Sequence, residues 1–245
     1  MPSLLQAQLP NQPAATPSLE ALGSWYQAVE IEGLGTPPVA SGAEDSRFYN
    51  LGKWRNFIAP LLPAGRDAFC ELGSNASLFL LCAAQAGFRR VIGVEPDAEW
   101  HGQGRFVLDH YAARDPRLYG GIELVKARVG DPGHGVNDSC LIEGSCEALD
   151  LATLPALDVM LLSNVLYWIE REASQAFIHQ LADKARYAIV VSIEQATERG
   201  GPAALADVRA AFDASWIERE IIAGVARQGD PAPRRMFSLL FESRR

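Results

Sequence analysis

Glu71-Leu72-Gly73-Ser74-Asn75-Ala76-Ser77 is the stretch that decides how this chain of 245 residues is read. Before it, Ala68 to Leu72 is a short apolar run suited to a buried strand. After it, Ser77 to Ala86 reads as a helix that stops at Gly87, where glycine can take the left-handed conformation that closes a helix. A turn of small residues therefore joins a strand to a helix. Gly73 lets the backbone bend tightly and approach a ligand, and the N-terminus of the next helix is expected to offer free amide donors. Val91-Ile92-Gly93-Val94-Glu95 follows as a continuous, β-branched strand of the kind covered on both faces. It ends in Glu95, about 20 residues beyond the turn, where a carboxylate accepts hydrogen bonds from the hydroxyls of a ribose.

Working outward, Arg47 to Leu62 carries Leu51, Trp54, Ile58 and Leu61 at helical spacing, and Pro63-Ala64-Gly65 ends it. A helix is expected near Glu99 to Ala113, inside a stretch from Asp97 to Asp138 that reads as an insertion with a Gly- and Pro-containing segment around Pro132. The alternation resumes with a strand near Cys140 to Glu143, a strand at Val159 to Ser163, a helix at Glu172 to Ala185 and a strand at Ala188 to Ile193. Strands alternating with helices imply an α/β fold with a doubly wound, mostly parallel sheet of seven strands. After a helix at Pro202 to Phe212, Trp216 to Ile222 and Met236 to Phe241 have only turn residues between them (Gly229 to Pro233), so an antiparallel last strand is expected. Residues 1–45 read as an N-terminal arm and lid, and 46–245 as the catalytic domain.

Composition narrows the function. With 48% hydrophobic and 21% charged residues the chain is ordinary globular material. Its longest apolar runs, near Leu78 to Ala84 and Val159 to Leu162, are far shorter than a membrane-spanning helix. The N-terminus lacks the basic and apolar regions of a secretory signal, so a cytoplasmic location is expected. A net charge of −8 argues against a surface built to neutralise phosphates, and no nucleic-acid partner is expected. The cysteines, Cys70, Cys82, Cys140 and Cys146, have neither disulfide nor zinc spacing, and no carboxylate and histidine cluster points to a metal.

An adenosyl ligand fits the turn and Glu95, and two cofactor classes use that geometry. A dinucleotide needs two further glycines, in Gly-x-Gly-x-x-Gly, so that its pyrophosphate reaches the helix end; this chain has neither. Glu71, directly before the bend, would repel a diphosphate and suits a cation. S-adenosyl-L-methionine, with its sulfonium and ammonium, is the better match. From about residue 45 to the C-terminus the chain resembles class I S-adenosylmethionine-dependent methyltransferases. That family has an acidic residue, a variable residue and a glycine where Glu71, Leu72 and Gly73 stand, an acidic ribose ligand at Glu95, and a Rossmann-like sheet with an antiparallel last strand. The family's later glycines are Asn75 and Ser77 here. Gly-x-Asn with a following Val-Glu-Pro is similar to the branch of natural-product and sugar O-methyltransferases. Trp25-Tyr26-Gln27 with Gly35-Thr36-Pro37 is similar to the lead-in of the wobble-uridine tRNA methyltransferase-like group, whose histidine is Gln27 here.

The resemblance implies the site residues. Cofactor contacts fall on Glu71, Gly73, Ser74, Asn75, Glu95, Pro96, Ser163 and the adenine-lining segment Ser145, Cys146 and Glu147. Leu162-Ser163-Asn164-Val165-Leu166-Tyr167-Trp168 is similar to a strand-four motif that often ends in Leu-Tyr-His, with Trp168 in place of the histidine. Acceptor contacts are expected from Trp25, Tyr26, Asn164 and Tyr167, and a second subunit could dock near Leu4, Leu5 and Trp25 as a homodimer. Glu194, just past strand five, and His134, between glycines, are the candidate catalytic bases. The leading expectation is methyl transfer to a hydroxyl of a small-molecule acceptor, such as a sugar or natural-product precursor. The alternatives are a tRNA-modifying methyltransferase and a catalytically idle adenosyl-binding protein.

Overall fold

Side chains on successive strand residues point to opposite faces, and here both faces are apolar, so the sheet must be covered on both sides. The computed structural model describes residues 18–37, 50–129, 147–193, 203–226 and 235–245. In chain order the strands are β1 (Ala68–Leu72), β2 (Arg90–Val94), β3 (Ile122–Val125), β4 (Ala127–Arg128), β5 (Glu147–Ala148), β6 (Leu157–Ser163), β7 (Ala185–Ile193), β8 (Trp216–Ala226) and β9 (Arg235–Ser243). The α-helices are α1 (Asn50–Lys53), α2 (Leu78–Gln85), α3 (Ala98–Arg114), α4 (Pro116–Tyr119), α5 (Arg171–Leu181) and α6 (Leu205–Ala211).

Seven strands form one sheet in the order β3-β2-β1-β6-β7-β9-β8, and β4 and β5 make a separate two-stranded pair. β3, β2, β1, β6 and β7 are mutually parallel, and β9 runs antiparallel to both β7 and β8. On β1 and β6, Phe69, Val159 and Leu161 join the core layer shared with α2, while Cys70, Leu72, Met160 and Leu162 join the layer shared with α5 and α6. Leu72 is in register with Val94 on one side and Leu162 on the other, so three strands end level with one another. The chain leaves β1 toward β2 and later returns on the other side as β6. This reversal of strand order opens a crevice beyond the carboxyl ends, the usual ligand position in open α/β sheets.

Two sequence expectations are corrected. The stretch after Asp97 is not wholly an insertion: Ile122–Val125 pairs in parallel with β2 and occupies the edge position beside it. Its four residues alternate between half-buried and exposed, too short a pattern to announce a strand. The strand expected near Cys140 lies outside the described residues. The helix expected from Arg47 to Leu62 is instead α1 followed by a π turn (Trp54–Ile58) and a 3-10 turn (Ala59–Leu61). Pro60 has no amide to donate and crowds the preceding turn, so a regular helix cannot run through it. Leu51 is 42% exposed and Lys53 only 5% exposed, the reverse of what the apolar stripe implied.

The N-terminal segment is also more than a lid. Trp25, Val29 and Ile31 are buried in the core layer that includes α2. Trp25 Nε1 donates to the Leu19 carbonyl at 3.0 Å, Gln103 of α3 donates to the Leu22 and Ser24 carbonyls, and Tyr111 Oη donates to the Glu30 carbonyl. Gly104, one turn beyond Trp100 in α3, has the turn after β1 against it: a Cβ there would lie 2.6 Å from Ser77 Oγ and 2.9 Å from the Asn75 carbonyl. Among the described residues no helix is long and apolar enough to cross a membrane. Because Trp25 is part of the core, Trp25→Ala should cost about 3–5 kcal/mol in urea unfolding. An unchanged midpoint would show that the segment is a detachable flap.

Candidate active site

The turn after β1 closes on itself and on β2. Gly73 and Ser74 donate to the Val94 carbonyl at 2.8 and 3.1 Å, and Ser77 donates to the Ser74 carbonyl at 2.8 Å. Asn75 donates its backbone N–H to Glu95 Oε2 at 2.7 Å, Ala76 donates to Asn75 Oδ1 at 2.8 Å, and Leu78 donates to Gln27 Oε1 at 3.3 Å. Every backbone amide from Gly73 to Leu78 is thereby engaged within the protein. The free donors expected at this helix N-terminus are absent from residues 73–78, and Gln27 caps α2 by accepting from the Leu78 amide. A pyrophosphate would have to displace protein acceptors to bind here, whereas a sugar hydroxyl or a cation would not.

The turn also explains the missing glycines. Gly73, Asn75 and Ser77 have φ of 74°, 49° and 68°, so the backbone takes the left-handed shape of a glycine-rich loop at positions where two residues are not glycine. Asn tolerates this region comparatively well; Ser does so at a cost of about 1–2 kcal/mol. Ser77 Oγ is in addition buried without a hydrogen-bond partner. Ser77→Gly should raise stability by about 1 kcal/mol, the relief of strain and of the orphaned hydroxyl exceeding the added freedom of the unfolded chain. Calorimetric melting is expected to show a Tm about 2–4 °C higher; a fall would mean the hydroxyl supports the turn.

Glu95 is held from two directions, with Oε2 accepting from Asn75 N and Oε1 from Asp97 N at 2.9 Å. The crevice beside it is lined by Glu71, Gly73, Asn75, Glu95, Pro96 and Ser163, and by Tyr26, Asn164 and Tyr167, all expected from the sequence. Ser74 is fully buried and does not line it. Neither does Trp25, nor Glu147, which is exposed on β5 opposite Ala127. Ser145, Cys146, His134 and Glu194 lie outside the described residues. The lining also includes Lys53, Phe79, Asp97, Trp100, Arg128, Val129 and Trp168, which sequence reasoning did not assign to the cofactor. For Lys53 a signal was present: it stands beside Trp54 and four residues before Phe57, on the inward side of its helical turn.

Burial sets the electrostatics. It pushes the Glu71 carboxyl well above the usual carboxylate range, against the attraction of Lys53 and with some reinforcement from Glu95. It pushes the Lys53 ammonium down to about 8, against the attraction of Glu71. Glu95 is raised to about 7 by burial, its two backbone hydrogen bonds opposing the shift. Three acidic residues (Glu71, Glu95, Asp97) and two basic ones (Lys53, Arg128) line the crevice. Glu71 Oε2 and both side-chain polar atoms of Asn164 are buried without hydrogen-bond partners. Such atoms are costly unless a ligand satisfies them. A cation on the ligand would draw both raised carboxyls toward their ionised forms.

Neither a family model nor a curated protein matches the sequence. Solved structures do match the fold. The N-terminal domain of EvdMO1, solved in the presence of SAH and D-fucose, aligns with a TM-score of 0.59 at 18% identity, over 92% of this chain and 94% of that one. N-methyltransferase NodS from Bradyrhizobium japonicum WM9 aligns at 0.53 with 16% identity, over 79% and 93%. The chain has the class I methyltransferase fold. A structure described for conversion of a disulfide bond into a thioacetal group during echinomycin biosynthesis is also similar, with a TM-score of 0.50 at 16% identity over 76% of this chain and 78% of that one. Within the methyltransferase fold, the acidic ends of β1 and β2 stand at the switch in strand order described above.

The raised Glu95 gives a pH dependence with a definite sign. In the folded protein its carboxyl stays protonated until about pH 7, while in the unfolded chain it ionises near 4.5, so its contribution to stability falls as pH rises between those values. Ribose hydroxyls donate to the ionised form. The affinity for S-adenosylhomocysteine should therefore weaken by up to roughly tenfold per pH unit as pH falls below 7. Calorimetric titration between pH 8 and pH 5.5 checks this, and a flat profile would mean Glu95 does not carry the ribose.

Proposed function

We propose that this chain is an S-adenosyl-L-methionine-dependent methyltransferase acting on a small molecule, with a hydroxyl of a sugar or natural-product precursor as the acceptor. The observation that carries the reading is the pairing of a backbone-gripped Glu95 with a turn whose amides are all occupied and a buried Glu71 carboxyl whose Oε2 has no hydrogen-bond partner within the protein. That combination suits a nucleoside with a net positive charge and opposes a dinucleotide. EvdMO1, solved with SAH and D-fucose, supports a sugar-like acceptor by analogy of fold.

In this reading Glu95 holds the ribose. Pro96 and Val129 lie on the β3 and β4 side of the crevice and suit the adenine. Glu71 and Lys53, on the β1 side, complement the ammonium and carboxylate of the methionine end. When bound, S-adenosyl-L-methionine supplies a methyl group already activated by its sulfonium. The protein's task is then mainly positioning, which in well-oriented reactions is equivalent to effective molarities of about 10⁵ M or more. Tyr26 and Trp100, with ring centroids 5.9 Å apart, and Tyr167 and Trp168, 5.2 Å apart, wall the crevice. With Trp168 at the position of the motif's histidine, we assign acceptance of the hydroxyl proton to Glu194, which directly follows β7, with His134 as the other candidate.

Titration calorimetry with S-adenosylhomocysteine tests the proposal. The parent protein is expected to bind it and to ignore reduced nicotinamide dinucleotide, and Glu95→Ala should weaken binding by about 100-fold or more, the value of two hydrogen bonds to a charged group. No binding by the parent, or equal binding by Glu95→Ala, would end the assignment.

A further inference from the structure

Among the described large hydrophobic side chains that stand exposed, the aromatic ones are Tyr26, at 44%, and Trp168, at 42%, and both line the crevice. Each stands on a fixed backbone. Tyr26 lies between Trp25, which is fully buried, and Gln27, whose side chain caps α2. Trp168 ends a 3-10 turn (Leu166–Trp168) flanked by the buried Leu166 and Ile169. Its N–H donates to the Val165 carbonyl at 3.0 Å, and that of Ile169 donates to the Leu166 carbonyl at 3.1 Å. Each exposed ring also leans on a less exposed one, Tyr26 on Trp100 and Trp168 on Tyr167. Rings held in this way keep apolar surface in water at a cost that a ligand lying on them removes. Because they are already ordered, covering them loses little side-chain entropy.

Their position selects the ligand. Trp100 lies in the first turn of α3, which follows β2, and Trp168 follows β6, so the two ring pairs belong to connections on either side of β1. Glu71 and Glu95, at most 2% exposed, form the floor of the crevice and are taken by the donor in the reading above. The exposed rings are left for the other reactant. From Ser163 to Ile169 the lining carries no charged side chain. The basic lining residues among those described are Lys53, whose charge is set against Glu71, and Arg128 on β4. A phosphate brought over the acidic ends of β1 and β2 meets like charge. A flat, uncharged carbon face loses only water when it covers an indole.

We propose that Trp168, together with Tyr26, is a specificity residue for the methyl acceptor, and that the acceptor presents the flat face of an uncharged six-membered ring, aromatic or pyranose, rather than a phosphorylated or nucleotide-linked sugar. This rests on the reading of the crevice as an S-adenosyl-L-methionine site and narrows what that site methylates. Trp168 acts by stacking on the acceptor and takes no part in holding the donor.

The probes are phenol and methyl β-D-glucopyranoside, one for each kind of ring, with phenyl phosphate and glucose 6-phosphate as their charged counterparts. Each is titrated into the protein saturated with S-adenosylhomocysteine and followed by ligand-observed NMR. At least one neutral ring should bind, with its charged counterpart roughly 10-fold or more weaker, and which of the two binds identifies the source of the ring. Because the indole is exposed, Trp168→Ala leaves the core intact; it should weaken the neutral probe roughly 10-fold, the worth of one stacked ring, and Trp168→Tyr should restore most of the binding. S-adenosylhomocysteine affinity should be unchanged in both variants. Equal or tighter binding of the phosphates, no binding by either neutral ring, or a neutral probe indifferent to Trp168→Ala would overturn the proposal. So would a parallel loss of S-adenosylhomocysteine affinity, which would set the indole against the donor. Failure of the parent protein to bind S-adenosylhomocysteine would instead remove the underlying reading, and this proposal with it.

Discussion

The grip of two backbone amides on the Glu95 carboxylate is the constraint from which the rest of the site follows. Asn75 N reaches Glu95 from the turn after β1, and Asp97 N reaches it from the start of α3. The carboxylate therefore joins two consecutive strand-to-helix connections at the carboxyl edge of the sheet. To present its amide to Glu95 the turn must coil through left-handed positions at Gly73, Asn75 and Ser77. For α3 to lie against that coil it needs a residue without a side chain at Gly104. One buried acid thus sets the shape of a loop and the seating of a helix.

The same constraint makes the crevice selective by charge. An amide spent on Glu95, on Val94 or on Gln27 is not available to a phosphate, so the turn resembles a dinucleotide loop in path but not in chemistry. What faces the ligand is instead a pair of carboxyls raised by burial, with Lys53 as a partly compensating cation. A buried charge pair of this kind contributes little to folding by itself, because desolvation offsets the attraction. Its value lies in the ligand it admits.

Much of this was legible in the chain. β1, the turn, β2 and Glu95 were readable because a continuous apolar strand, a small-residue bend and a terminal acid at fixed separation leave few other structures. The antiparallel end was readable because the strands that begin at Trp216 and Arg235 leave no room for a crossover helix between them. Ile122–Val125 escaped notice as a four-residue edge strand whose alternation could equally be a loop. Lys53 escaped because the π turn at Trp54–Ile58 interrupts the regular helical period on which the apolar stripe was read, and Leu51 is exposed in its place. Trp25 read as part of a lid, yet it is buried, because a tryptophan in a Gly- and Pro-containing segment carries no periodicity to reveal what it packs against.

The most direct measurement is a crystal structure of the protein grown with S-adenosylhomocysteine. Both ribose hydroxyls should lie within hydrogen-bond distance of Glu95, with the backbone of residues 73–78 unchanged. A ligand seated elsewhere, or a Glu95 carboxylate that keeps its two amides but touches no sugar, would contradict the account.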